Sequence, residues 1–234
     1  MRIVTAFFLA AAVTGGTAFA QEGAAPLEDG GYIRIGGGAT FVNGWEQSFA
    51  RNPDTVVCLA IGCNPDSQTL DFKSGWAGTA AIGFDYADGI RTELEYRYTQ
   101  SEVSTQRLFE GGFEVSNAAP DENVSGHFLM SNFYFDFYTK SAVTPYIGGG
   151  VGGAFIENER GMRDAALAYQ GRAGLSVSMG DGWSTDVEYL FVRTKRLVFG
   201  PNTEDFTPAG PFELNISGDR YQSSSVMLFL RKRL

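Results

Sequence analysis

His127 is the only histidine of the chain, and Ser125 lies two positions before it. Residues two apart in an extended strand share a face, so the two side chains would lie together near one rim of a sheet. Acyl hydrolysis needs a nucleophile, a base and a group that orients the base. No orienting group is evident beside this pair. The sequence therefore favours a structural histidine over a dyad, and no catalytic residue is assigned.

Two cysteines, Cys58 and Cys63, are the next candidates for chemistry. The N-terminal segment described below predicts export to an oxidising compartment, where a local disulfide between them is expected. A metal site would need more ligands than one histidine and one cysteine pair supply. The sequence therefore predicts a disulfide and no metal site.

Three glycines, Gly148, Gly150 and Gly153, match the spacing of a dinucleotide-binding fingerprint. That fingerprint works only where a helix opens at the glycines within a βαβ unit. Here the sequence continues as strand, loop and strand. The glycines are interpreted as places where neighbouring strands and bulky side chains pack closely, and no cofactor is predicted.

The first twenty residues have the pattern of a signal peptide. Arg2 precedes an apolar run from Ile3 to Val13, and Ala18-Phe19-Ala20 forms a small-residue cleavage site. Residues 1–20 are predicted to be removed, leaving 21–234 as one domain. No stretch approaches the 20 or so apolar residues of a spanning helix. The formal charge of −9 becomes one unit more negative without Arg2, which argues against nucleic-acid binding.

Seven connections separate eight candidate strands, and their lengths alternate between short and long. Short turns are predicted at Ala87-Asp88-Gly89, near 139–143 and at Gly180-Asp181-Gly182. Longer polar connections are predicted at about 44–71, 100–123 and 194–218, with an intermediate one near 157–165. Transmembrane barrels show this asymmetry, with short periplasmic turns and long extracellular loops.

Apolar and polar residues alternate within the candidate strands. In residues 90–99, Leu94, Tyr96 and Tyr98 share one face, while acidic and basic residues share the other. The second strand places Lys73, Thr79 and Asp85 opposite Trp76 and Phe84. The charged residues predicted to face one side of the sheet are Arg34, Asp85, Arg91, Glu93, Glu95, Arg97, Asp136, Arg172, Asp186 and Glu188.

An eight-stranded barrel is just wide enough for side chains to fill it. If the charged rows face inward, both signs are present and should pair with each other, because unpaired buried charges cost several kcal/mol each. Mutual neutralisation is favoured over a gated pore. Periodicity alone does not decide whether the charged or the aromatic rows face inward. The loop asymmetry and the abundance of aromatic residues favour the membrane arrangement over a soluble lipid carrier.

Three segments resemble known outer-membrane barrels: the closing strand at 223–234, Asn132-Phe133-Tyr134-Phe135-Asp136-Phe137, and Thr144-Pro145-Tyr146-Ile147-Gly148-Gly149-Gly150. They are similar to the OmpA-like and opacity-protein-like families. The resemblance implies an all-β, eight-stranded antiparallel up-and-down barrel in a Gram-negative outer membrane, without a peptidoglycan-binding domain. It also implies lipopolysaccharide and the barrel-assembly machinery as partners. The last residue is usually Phe in these families, and here it is Leu234. Lys232 also departs from the pattern, because its position is usually apolar.

The resulting functional hypothesis is a non-enzymatic barrel with a structural or adhesin-like role, whose loops contact a host or surface ligand. Acidic residues of the loops indicate a solvated face, or else adhesion or cation binding; they are Glu102, Glu110, Glu114, Asp121, Glu122, Glu204, Asp205 and Asp219. Three alternatives stay open at this point. They are a narrow channel for small solutes, a lipid A-modifying enzyme and a soluble periplasmic lipid-binding barrel.

Overall fold

A computed structural model of the chain describes residues 29–50, 66–139, 141–158, 163–204 and 212–234. The strands are β1 Gly30–Val42, β2 Trp45–Ala50, β3 Ser67–Phe72, β4 Gly75–Asp85, β5 Ile90–Glu110, β6 Phe113–Ala118, β7 Asn123–Asp136, β8 Val143–Asn158, β9 Arg163–Gly180, β10 Trp183–Glu204 and β11 Phe212–Arg233. No helix long and apolar enough to span a bilayer occurs in these ranges. The predicted signal peptide, Cys58 and Cys63 lie outside the described residues.

Eight of these strands form a closed antiparallel ring in the order β1, β4, β5, β7, β8, β9, β10 and β11. The ring closes where β1 pairs with β11, from Tyr32 opposite Arg233 to Val42 opposite Ser223. Closure gives every strand two hydrogen-bonded neighbours, as a sheet in a membrane requires. The predicted eight-stranded barrel is therefore confirmed.

The two shorter strands β2 and β3 continue β1 and β4 beyond a two-residue interruption in each. β2 pairs with β11 as β1 does, and Gln47 lies opposite Gly218 in the same register as Val42 opposite Ser223. β3 likewise pairs with β5, as β4 does. The barrel wall is thus prolonged at one end, here called the loop end, where β6 also pairs with β5. The opposite end, with the short turns, is called the turn end.

The predicted extents of the long connections are wrong. Strand β2 and nearly all of β3 fall inside the predicted loop 44–71, β5 and β6 occupy much of 100–123, and β10 and β11 run into 194–218. Above the membrane the outer face meets water, so the apolar alternation disappears although the strand continues. The interruption between β3 and β4 also leaves Lys73 exposed on the outside, against the predicted inward placement.

The short turns lie where the sequence predicts them. At the β9–β10 turn three successive residues have positive φ, namely Gly180, Asp181 and Gly182 at 85°, 51° and 73°. Residues other than glycine rarely adopt such backbone angles, and Asp is among the exceptions. This turn can therefore be short only because two of its three residues are glycine.

The aromatic and aliphatic rows lie on the outside of the ring. About half of the surface of side chains such as Ile35, Leu94, Phe135 and Tyr189 is exposed. This apolar belt extends from Ile33 to Phe41 on β1 and from Trp76 to Phe84 on β4. Both lengths agree with the 9–11 residues that a tilted strand needs to cross a bilayer. The charged rows are enclosed. This arrangement rules out the soluble lipid carrier, which would have an apolar interior.

Candidate functional site

The barrel interior brings together the ten charged residues predicted to share a face. Nine of them are buried, and the side chain of Asp136, at the turn end, is only 5% exposed. They come from β1, β4, β5, β7, β9 and β10, because inward positions recur at every second residue of each strand. We call this set, with the partners described below, the interior network.

Arg34 lies at the centre of the interior network. Its guanidinium nitrogens lie 3.0 Å from Asp186 Oδ2 and 2.9 Å from Glu188 Oε2, and the third carboxylate, of Glu93, is 3.6 Å away. The ring of Phe229 stacks beneath the guanidinium, with its centroid 3.4 Å from Cζ. The positive charge of Arg34 is thus neutralised by three carboxylates, and its guanidinium plane packs on an aromatic ring.

Arg172 is the second centre, bonded to Glu95 and to the Tyr134 hydroxyl. It also lies 3.5 Å from both Glu93 and Glu188, so Arg34 and Arg172 share two carboxylates. Buried tyrosines complete the shell around these carboxylates. The Tyr134 hydroxyl donates to Glu93 at 2.9 Å and the Tyr146 hydroxyl donates to Glu188 at 2.9 Å.

The turn end of the network contains two arginines that the sequence analysis missed. Arg231 lies 3.7 Å from Asp85 and 3.8 Å from Asp186, and Arg233 lies 3.1 Å from Asp85. The alternation of strand residues predicts their placement. Leu228 and Leu230 face outward, so the odd-numbered positions 231 and 233 must face inward. With these two residues the network holds as many guanidinium groups as carboxylates among the described residues.

Above the network towards the loop end, the interior becomes apolar. Arg97 is the member of the interior network nearest the loop end, with Glu95 at 3.9 Å and the ring of Phe128 at 4.6 Å from its guanidinium carbon. Beyond it lies what we call the apolar plug, formed by Trp45, Leu70, Val103, Val124, Phe128, Met130, Ala154, Ile156, Ala168, Val192, Leu197 and Tyr221. The alternation of the sequence does not predict this layer, because the contributing segments of β2, β3 and β10 fall within the predicted long connections.

Glycines of the inner face make room for the buried rings. Gly148 lies opposite Tyr134, and a Cβ added at Gly148 would stand 2.4 Å from Tyr134 Cδ1. A Cβ at Gly150 would stand 2.0 Å from Asn132 Oδ1. Both glycines lie in the middle of β8, where no helix opens. The fingerprint-like spacing is therefore a packing feature of a strand, not a nucleotide site.

His127 lies on the outer face of β7, near the loop end of the apolar belt. Its Nδ1 is 2.7 Å from the Tyr96 hydroxyl, and its ring packs edge-on against Tyr98 with the centroids 5.0 Å apart. Ser125 shares that face, but its hydroxyl donates to the Glu157 carbonyl at 3.5 Å. The histidine thus belongs to an aromatic cluster at the edge of the belt. Within the described residues, no group of three or more His, Cys, Asp or Glu side chains is placed to hold a metal ion.

Comparisons with known proteins agree with this architecture. A family model described as Surface antigen matches residues 39–185. An outer membrane protein of Gluconacetobacter diazotrophicus is 27% identical over 133 residues, which are 55% of this chain and 33% of that protein. The chain thus spans about a third of the length of that curated relative.

Two solved structures superpose on most of the chain. The crystal structure of Neisserial surface protein A superposes with a TM-score of 0.52 at 13% identity, covering 89% of this chain and all of that one. The outer membrane protein OprG of Pseudomonas aeruginosa gives a TM-score of 0.49 at 14% identity, covering 86% of this chain and 95% of that one. The first likeness shows that the chain shares the barrel fold of that protein.

Proposed function

The chain belongs to the Surface antigen family, and from that premise we propose that it is a non-enzymatic outer-membrane barrel that acts through its loop-end surface. The turn end then faces the periplasm and the loop end faces outward, as in barrels with short periplasmic turns. The prolonged strands β5, β10 and β11 raise this surface above the membrane.

The filled interior is the observation that carries the proposal. Residues lining an aqueous pore would be in contact with water, whereas Arg34, Arg91 and Glu95 are at most 1% exposed. The apolar plug adds a second layer that would have to be dismantled before an ion could pass. A conducting path would therefore require breaking several buried ion pairs at once.

Planar-bilayer recording tests this against the narrow-channel alternative. We expect no stepwise conductance after insertion of the full chain, verified by heat-modifiable gel migration. A control variant, Arg172→Ala with Phe128→Ala, removes one large side chain from the network and one from the apolar plug. Regular openings of the unmodified protein would contradict the proposal and support the channel.

The enzyme alternative depends on His127. Its Nδ1 is engaged by a phenol instead of a carboxylate, so the orienting group of a strong general base is lacking among the described residues. We expect the lipid A profile of cells that overproduce the protein to be unchanged, and to be identical for His127→Ala and Tyr96→Phe. A modified lipid A species that disappears in His127→Ala would contradict the proposal.

A surface-contact role is supported by the hairpin between β5 and β6. Phe113 is 79% exposed and Val115 is also exposed, and the acidic Glu110 and Glu114 lie beside them. Apolar side chains held out on a raised hairpin are typical of contact surfaces. Adherence of cells displaying the protein to an epithelial monolayer should fall several-fold in the double variant Phe113→Ser, Val115→Ser. The polar control Asn117→Ser should adhere like the unmodified protein, and equal adherence of all three would count against this role.

A further inference from the structure

A cluster of four basic residues lies on the outer face of β10 and β11, towards the loop end. Arg193 is half-buried, whereas Lys195, Arg196 and Arg220 are exposed. We call these four residues the basic patch. It is a local concentration of positive charge on a chain whose formal charge is −9.

A β-bulge creates this patch. The register between β10 and β11 shifts between Arg193 and Arg196, while Thr194 and Leu197 on either side of the bulge are completely buried. A regular strand would send one of two successive side chains inward. The extra residue lets Lys195 and Arg196 both face outward.

Within the part of the chain that the structure describes, the four cations have no acidic partner. Arg196 lies directly opposite Arg220 across the two strands, an arrangement of like charges that destabilises a sheet. No carboxylate of the described residues forms an ion pair with any of the four. Two other basic residues at the loop end are paired, since Lys73 binds Glu102 and Arg107 lies 2.9 Å from Asp71. Since no described acidic group neutralises the patch, it can accept an anion from outside the chain.

The position of the patch identifies the kind of anion. The outward row of β10 runs through Val187, Tyr189 and Phe191 and then continues directly into Arg193. Arg193 pairs across the sheet with Tyr169, another member of the outward aromatic rows. Aromatic residues mark the boundary between hydrocarbon and headgroups, so the patch lies at headgroup level of the outer leaflet. Guanidinium groups bind phosphate through paired, charge-assisted hydrogen bonds.

We propose that Arg193, Lys195, Arg196 and Arg220 bind the phosphate groups of a phosphorylated glycolipid of the outer leaflet, the lipid A part of lipopolysaccharide. Bound phosphate would neutralise the Arg196–Arg220 repulsion and would hold one lipid against β10 and β11. This inference goes beyond surface contact by the β5–β6 hairpin and does not depend on it. It needs only the outward orientation of the loop end.

Native mass spectrometry of the full barrel in mixed micelles with lipid A tests the site. We expect one lipid A molecule to bind more tightly than any further lipid A molecules. The double variant Arg196→Gln, Arg220→Gln should bind this first molecule about tenfold more weakly, because two charge-assisted contacts are lost. The matched control Lys73→Gln, Arg107→Gln removes the same charge from paired positions and should bind like the unmodified protein. Heat-modifiable migration establishes that each variant is folded.

Two further arms separate the sources of the anion. Lipid A without its phosphates should bind weakly and equally to the unmodified protein and the double variant. A soluble sulfated polysaccharide should not displace lipid A at equal charge concentration. The proposal is overturned if the double variant retains full affinity for lipid A, if dephosphorylated lipid A binds as tightly as the phosphorylated form, or if the polysaccharide displaces the lipid.

Discussion

Arg172 illustrates how a buried charge is tolerated in a barrel that cannot hydrate it. Its guanidinium meets Glu93, Glu95 and Glu188, and all of the side chains involved are completely buried. Removing one partner from such a cluster leaves an uncompensated charge. An exposed pair such as Lys73 with Glu102 contributes little, because water screens it.

We therefore predict that Arg172→Met destabilises the folded barrel by about 3–5 kcal/mol. The control Lys73→Met should change the free energy of unfolding by no more than about 1 kcal/mol. Urea unfolding in lipid vesicles, followed by gel migration and tryptophan fluorescence, measures both. Equal stability of the two variants would mean that the interior charges are not mutually stabilised.

At the scale of the strand, interior glycines and aromatic residues occur as cross-strand pairs. Tyr32 lies opposite Gly83 and Tyr146 opposite Gly174, and a Cβ at either glycine would stand within 2.6 Å of the partner's Cζ. A ring therefore lies over the neighbouring backbone instead of pointing along the barrel axis. In this way Tyr32, Tyr134 and Tyr146 reach the carboxylates of Glu93 and Glu188 without widening the ring.

Substitution of Gly148 tests that packing. Gly148→Val should cost about 1–3 kcal/mol, because the new side chain overlaps the ring of Tyr134 and the Phe133 carbonyl. Gly171→Val is the control, since no atom lies within 4 Å of a Cβ added at Gly171. The control should keep its stability, and the free energy of unfolding of both variants comes from the same urea titration. If Gly148→Val is as stable as the control, the glycines are not needed for close approach.

At the scale of the whole molecule, orientation distinguishes the three tryptophans. Trp76 and Trp183 are 52% and 40% exposed on the outer face, whereas Trp45 is 3% exposed within the apolar plug. Trp76 packs against Tyr98 and Trp183 against the Lys232 ammonium, at opposite ends of the belt. Rings in these places belong to the two interfaces of the bilayer.

Single-tryptophan variants in brominated phospholipid vesicles measure this orientation. We predict strong quenching of Trp76 and Trp183, and little quenching of Trp45. Acrylamide in the aqueous phase should also leave Trp45 unaffected, because the plug excludes it. Quenching of Trp45 by brominated chains, with Trp76 and Trp183 unaffected, would place the aromatic rows inside and contradict the fold.

Much of the barrel could be predicted because its alternation is local. Each strand carries its own period-two pattern, so the faces of Arg91, Glu93 and Arg172 and the positions of the short turns follow from neighbouring residues alone. The same alternation predicts that Arg231 and Arg233 face the interior. The loop-end strands were missed because, outside the membrane, their outer face is polar and the pattern that marks a strand is lost.

What the sequence by itself determined is which residues share a face and how many strands form the closed ring. Only the tertiary structure decided which face is inside. A period of two shows that a strand has two different faces, but it does not show which face lines the barrel interior. It also decided the partners, since Arg34 meets Glu188 only after the ring closes between β1 and β11. Closure, curvature and the bulge that exposes Lys195 and Arg196 depend on contacts far apart in the chain, and no local pattern encodes them.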